Sequence, residues 1–193
     1  MKNMAELIGI ILGDGNIYVD ESKSIYQLRI GGHSEDDKEY LLGYVKPLLE
    51  KLFKVNVRTK LHKSKKELFL CVDKKEVITK LIKLGVKPGN KKKNNIGIPS
   101  WIYTDIEYMK SFIRGIIDTD GSVYPKTLKH PCASIWLKCA IPKLRKDLTL
   151  LFKLLGFNPS KWSNTNRKDV KQCCIGRREE VIRFYQEINF KKS

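Results

Sequence analysis

The chain has 193 residues, 41% of them hydrophobic, enough for one good-sized core or two small ones sharing an interface. Lys and Arg total 38 against 21 acids, a formal net charge of +17, and so large an excess points to a polyanion, nucleic acid above all, as the partner. The apolar stretch 4–12 carries Glu6 and falls short of the ~20 residues a membrane span needs, and no secretion signal is apparent. Five cysteines without a CxxC spacing, beside three histidines, give neither a disulfide framework nor a zinc pattern. His130-Pro131-Cys132 resembles a metal fragment that nothing nearby completes. The expectation is an intracellular protein, off the membrane, with reduced and mostly buried cysteines.

In chain order, a helix runs to about Gly13 and strand patterns follow at 16–19 and 25–31. Residues 35–53 read as a helix that Pro47 bends or interrupts. Strands at 55–62 and 67–72 lead to a helix over 74–84. The order then repeats: helix 106–117, strands near 122–124 and 133–140, helix 142–155, strands near 158–163 and 170–175, and helix 177–188. Pro142 suits a helix start. Residues 85–104 connect the copies through Pro88-Gly89-Asn90 turn chemistry and the basic run Lys91-Lys92-Lys93. That run reads as a solvated loop, with phosphate contact as the alternative. The division is therefore 1–88 for the first repeat, 89–104 for a linker and 105–193 for the second.

The repeat is visible in the residues themselves. Leu7-Ile8-Gly9-Ile10-Ile11-Leu12-Gly13-Asp14-Gly15 echoes Ile113-Arg114-Gly115-Ile116-Ile117-Asp118-Thr119-Asp120-Gly121, and the stretch 69–78 echoes 173–182 at a similar offset. Gly9 and Gly13 share one helix face, matched by Gly115 and Thr119, and small residues at that spacing let two helix backbones approach closely. Asp14 and Asp120 then fall at the last turns of the two helices, followed by Gly15 and Gly121, where glycine commonly ends a helix in the left-handed conformation. An acid there is unfavourable by about 0.3–1 kcal/mol when exposed. A divalent cation would reverse that balance, because paired carboxylates and free carbonyls form a hard oxygen site suited to Mg²⁺.

These paired segments resemble the motifs of the LAGLIDADG homing endonucleases, single-chain two-motif type. The resemblance covers essentially the whole chain. The second copy is the fuller match, with Gly115, Asp118, Asp120 and Gly121 in place, whereas Leu12 stands where the first copy would have an acid. The resemblance implies an α+β fold of two pseudo-symmetric α-β-β-α-β-β-α repeats, each a curved antiparallel sheet backed by helices, together forming a DNA-binding saddle. It implies a monomeric, site-specific DNA endonuclease, probing double-stranded DNA for a long asymmetric target and making a double-strand break by metal-dependent hydrolysis, in the service of intron homing. Asp14 and Asp120, helped by the carbonyls of Gly13 and Thr119, would hold two or three divalent ions, Mg²⁺ with Mn²⁺ as a substitute. Lys74 and Arg177, at the starts of the last helices, are the candidate basic helpers, with Lys75 and Arg178 behind them. His33 and Lys138 are the candidates for holding water at the end of the second strand. The competing readings are an intron-splicing maturase or a non-cutting nucleic-acid-binding protein of the same fold. An intein is disfavoured, because no His-Asn terminus is present.

The strands supply a reading surface. Val55, Val57, Thr59 and Leu61 alternate with Asn56, Arg58, Lys60 and His62, and Leu28 and Ile30 alternate with Gln27 and Arg29. In the second copy Ile135, Leu137 and Cys139 alternate with Ser134, Trp136 and Lys138. The polar rows carry side chains that read base edges in the major groove, where a β-ribbon fits. Candidate DNA contacts are thus Gln27, Arg29, His33, Arg58, Lys60, His62, Ser134, Trp136, Lys138 and Trp162, with packing as the alternative for both tryptophans.

Overall fold

A computed structural model describes residues 1–127 and 130–191. Helix α1 (Lys2–Asp14) is buried from Met4 to Leu12, so it has no solvent face. It lies against α4 (Ile106–Asp120), the corresponding helix of the second copy. The small residues make this approach possible. A Cβ added to Gly9 would sit 2.3 Å from the Phe112 carbonyl oxygen, and one added to Gly115 would sit 2.2 Å from that of Glu6. Both obstacles are backbone, so neither position accepts a side chain without the helices parting.

Each helix leads into a four-stranded antiparallel sheet. The first comprises β1 (Gly15–Asp20), β2 (Ile25–His33), β3 (Arg58–His62) and β4 (Glu67–Val72) in the order β1-β2-β4-β3. The second comprises β5 (Gly121–Thr127), β6 (His130–Cys139), β7 (Ser163–Asn164) and β8 (Lys171–Ile175) in the order β5-β6-β8-β7. Helices α2 (Lys46–Phe53), α3 (Lys75–Lys83), α5 (Pro142–Leu154) and α6 (Arg178–Ile188) complete the two copies. The fold is α+β, with the two sheets in matching topology.

Inward strand positions such as Leu28, Ile30, Leu70, Ile135, Leu137 and Cys173 join one continuous core with the helices. A polar network crosses the α1–α4 contact. Glu6, 2% exposed, pairs with Arg114 at 3.2 Å and accepts a hydrogen bond from Tyr44 Oη at 2.5 Å; Arg114 Nε also donates to the Ile188 carbonyl. A carboxylate in an apolar helix survives burial because it is paired and fully bonded. The described cysteines are free, with Cys71, Cys139 and Cys173 buried; the Cys132 side chain lies outside the described residues. No helix among the described residues is long and apolar enough to cross a membrane.

Several local expectations change. The helical run spans 38–53, and its regular α bonding is interrupted by a π-helical segment, Tyr40–Val45, just before Pro47 in the first turn of α2, an arrangement that accommodates the missing proline N–H. Strand β3 starts only at Arg58, and Leu61 is 51% exposed because this edge strand runs past the core after Val57. Strand β7 shrinks to two residues: near Pro159, Ser160 Oγ takes the Cys174 N–H in place of a ladder bond. Gly15 and Gly121 are not left-handed but extended, with φ of −88° and −87°. Glycine is still needed there, because a Cβ would meet Ile11 Cα at 2.6 Å and the Ile117 oxygen at 2.4 Å.

Candidate active site and nucleic-acid interface

Asp14 and Asp120 are the last residues of α1 and α4. Their helix ends touch: a Cβ on Gly13 would lie 2.0 Å from Thr119 Oγ1. The Thr119 hydroxyl is turned back onto its own helix, bonding the carbonyls of Gly115 (2.9 Å) and Ile116 (3.1 Å). The Gly15 and Gly121 N–H groups cap Ile11 and Ile117, which leaves the final carbonyls of each helix available.

One cation occupies the α1 end. Lys91 Nζ donates to the carbonyls of Ile11 at 3.3 Å, Leu12 at 2.9 Å and Gly13. A positive charge belongs at a helix C-terminus. Burial pushes the Lys91 ammonium below its ordinary value, while Asp120 and Asp14 pull it back up. Both carboxylates therefore act on the same half-buried ammonium. Lys91 also lines a cavity of about 410 Å³ with Gly13, Asp120, Lys92, Lys138 and Arg167. Four cations and one acid around an opening of this size suit a phosphodiester.

The loop carrying Lys91 is fixed locally. Gly89, at φ +84°, donates its N–H to the Ile17 carbonyl on β1 at 2.7 Å; Asn90 Oδ1 accepts from Lys93 N and Asn94 bonds the Pro88 carbonyl. This ties the loop to the strand that follows Asp14. The basic run was visible in the sequence, but only this tie says which lysine turns inward.

The donor set fits divalent metal. Among the described residues no group of three or more His, Cys, Asp or Glu could hold an ion. Two carboxylates and the end carbonyls are hard oxygen donors, and the Gly13 carbonyl already binds a cation, Lys91. Substrate oxygens would have to complete any shell.

The other expected residues separate. Lys74 and Arg177 are exposed caps at the starts of α3 and α6, and the ammonium bonded to the motif helices is that of Lys91. Lys75 instead lies 5.0 Å over the Tyr26 ring. Asp118 is fully buried and accepts the Lys191 N–H at 2.6 Å, so it anchors the chain beyond α6. His33 and Lys138 are not counterparts. Gly15 pairs with Ile30 as Gly121 pairs with Leu137, so Gly31 is the match of Lys138 and His33 stands two residues further, 3.0 Å from Asp36.

On the first sheet the outward row is as expected. Arg29 and Arg58 flank Cys71 across the strands, and Lys60 faces Phe69. Gln27, Arg29, Asn56, Arg58 and Lys60 line an open depression of about 530 Å³. His62 and the lysines of the turn at Lys63–Lys65 extend this basic edge. The second sheet differs. Ser134 is buried, at 5% exposure, and Trp136 is half-buried. Trp162 packs on the core and donates its indole N–H to Thr149 of α5 at 2.9 Å, which draws it onto the helix layer rather than the strand face.

Residues 107–189 match the model of the LAGLIDADG-like domain. No curated protein matches the sequence. The fold is similar to that of mesophilic variants of the homing endonuclease I-DmoI, at TM-score 0.70 and 18% identity over 100% of this chain and 98% of that one. It is similar to I-DmoI in complex with DNA and Mn, at TM-score 0.69 and 20% identity over 97% and 96% of the two chains. The N-terminal LAGLIDADG domain of DUF199/WhiA also shares it, at TM-score 0.61 and 15% identity over 100% and 83%. Residues 107–189 thus match the LAGLIDADG-like domain, and the chain as a whole carries the two-repeat LAGLIDADG fold.

Proposed function

We propose that the protein is a site-specific DNA endonuclease that binds double-stranded DNA as a monomer and cuts both strands at one composite centre. The observation that carries this reading is the meeting of two motif aspartates and one half-buried lysine at the joined ends of α1 and α4. The I-DmoI likeness supports it, since that protein is a homing endonuclease seen with DNA and Mn. An intron-homing role and an intracellular site of action follow from the same reading.

Asp14 and Asp120, with the Gly13 and Thr119 carbonyls, would hold divalent metal, Mg²⁺ first and Mn²⁺ as a substitute. Divalent metal held by these oxygens would supply Lewis acidity for a hydrolytic water and for the departing 3′ oxygen. The chain's own residues do the rest. Lys91 neutralises charge developing on the phosphate, and Lys92, Lys138 and Arg167 hold that phosphate in the cavity beside Asp120. The outward rows of the first sheet, with Gln27, Arg29, Arg58 and Lys60, face the groove; Trp136 and Lys138 do so on the second.

The test is a cleavage selection from a randomised duplex library with Mg²⁺. A double-strand cut at one enriched asymmetric site is the expected result. Enrichment by binding without any cut would instead favour a non-cutting protein of the same fold, and no enrichment at all would sink the DNA reading.

A further inference from the structure

One acid stands out on the basic face of the first sheet. Asp73 follows β4 directly, and Leu28 pairs with Val72, so Asp73 stands opposite Gln27. Its two oxygens are divided: Oδ1 accepts from Gln27 Nε2 and Oδ2 from an Arg58 terminal nitrogen. These three side chains come from three different strands or strand ends, and the Arg58 side chain is 69% exposed. The carboxylate therefore ties together two donors that the sequence alone places 31 residues apart.

The second sheet lacks this device. Leu28 corresponds to Ile135 and Val72 to Ile175, since each pair occupies the same register position. Gly176 then stands in the place of Asp73, and Ser134 in the place of Gln27. A Cβ on Gly176 would find Ser134 Oγ at 3.7 Å, so this position has room for a side chain but carries none.

We propose that Asp73 is a positioning residue for sequence specificity: it holds Gln27 and Arg58 as a preset pair of base-reading donors under the first half of the target only. This rests on the DNA-binding reading above. A free arginine on a basic face finds phosphates, which carry no sequence information. Asp73 occupies one edge of the guanidinium and repels the phosphate backbone, leaving the remaining Arg58 donors for a guanine acceptor edge. Gln27 keeps its carbonyl and second amide hydrogen, the set that pairs with adenine. The pair suits neighbouring purines, and the ordering is complete before DNA arrives.

The experiment is binding selection from a randomised duplex library in chelator, so that no cutting intervenes, with wild type, Asp73→Asn and Asp73→Glu. Asp73→Asn keeps size but loses the charge that holds Arg58. Discrimination should fall on the order of tenfold at the base pairs under the first sheet and stay unchanged under the second. Binding to unrelated duplex should rise, with the salt slope steeper by about one as Arg58 turns to phosphate. Asp73→Glu should recover part of the lost discrimination, and Asp73→Asn should add nothing further to Arg58→Ala at the same base pairs. An unchanged profile, or an equal loss under both sheets, would overturn the assignment of Asp73. Failure of wild type to enrich any sequence would overturn the DNA-binding reading instead.

Discussion

The two halves share a backbone and differ in almost everything the backbone carries. Position for position, Gln27 corresponds to Ser134, Arg29 to Trp136, Lys60 to Ser163 and Asp73 to Gly176. Within the helix pair, Glu6 answers to Phe112 and Leu12 to Asp118. What the halves keep in common is Asp14 with Asp120, the glycines between the helices, and the two extended glycines after the acids. The acids and the Gly9–Gly115 crossing are the same in both copies, because the paired centre and the close helix approach each need both. The sheet faces can diverge, because each meets its own stretch of partner. A pseudo-symmetric frame with unlike faces suits a target whose halves are unlike.

Replacing the shared elements should do most damage. Asp14→Asn and Asp120→Asn should each lower double-strand cutting by about 10³-fold, the scale of losing a main electrostatic group, while binding in chelator persists. Equal, small losses would mean that the acids are not the reacting centre. Lys91→Met removes the ammonium bonded to the α1 carbonyls; cutting should fall about 10²-fold, and Lys74→Met and Arg177→Met should each cost far less. Single-turnover rates rank the three, and a dominant effect of Lys74 would reverse the assignment made from geometry.

The legibility of the chain followed the range of the interactions. Helix order, strand order and the acid pair were readable because periodicity and a repeated motif are local signals. Asp14 and Asp120 could be placed together because matched small residues at fixed spacing imply close packing. Lys91 could not be singled out from Lys92 and Lys93, since its direction depends on a tie between Gly89 and Ile17 across the fold. Lys74 and Arg177 looked equivalent in sequence, and both stand exposed at helix starts, the positions expected of them. Ser134 alternated correctly for an outer face, yet it is buried, and Trp162, open in the sequence between contact and packing, packs against the core and bonds Thr149. Alternation gives a face but not how far the core extends beneath it. Asp118 likewise carried a motif position but serves the Lys191 backbone.

The smaller effects separate frame from face. Gly115→Ala forces a Cβ against the Glu6 carbonyl and should destabilise the whole protein by about 1–3 kcal/mol. Thermal unfolding measures this, and an unchanged midpoint would mean that the helices have room to part.

The least visible change concerns Asp73. Partial burial pushes its carboxyl up, but the bonds from Gln27 and Arg58 outweigh this and hold it below the ordinary aspartate value of 3.8. With the folded value depressed, the stabilisation is present above the ordinary value and is lost only as pH falls through the folded one. Lowering the pH from 7 to 5 should therefore leave the Asp73 pair intact. A carboxyl-carbon NMR titration should place its midpoint below 3.8 in wild type and move it upward in Arg58→Ala. A midpoint already at the ordinary value would show that the three side chains are not joined in solution, and the first sheet would then read DNA no differently in kind from the second.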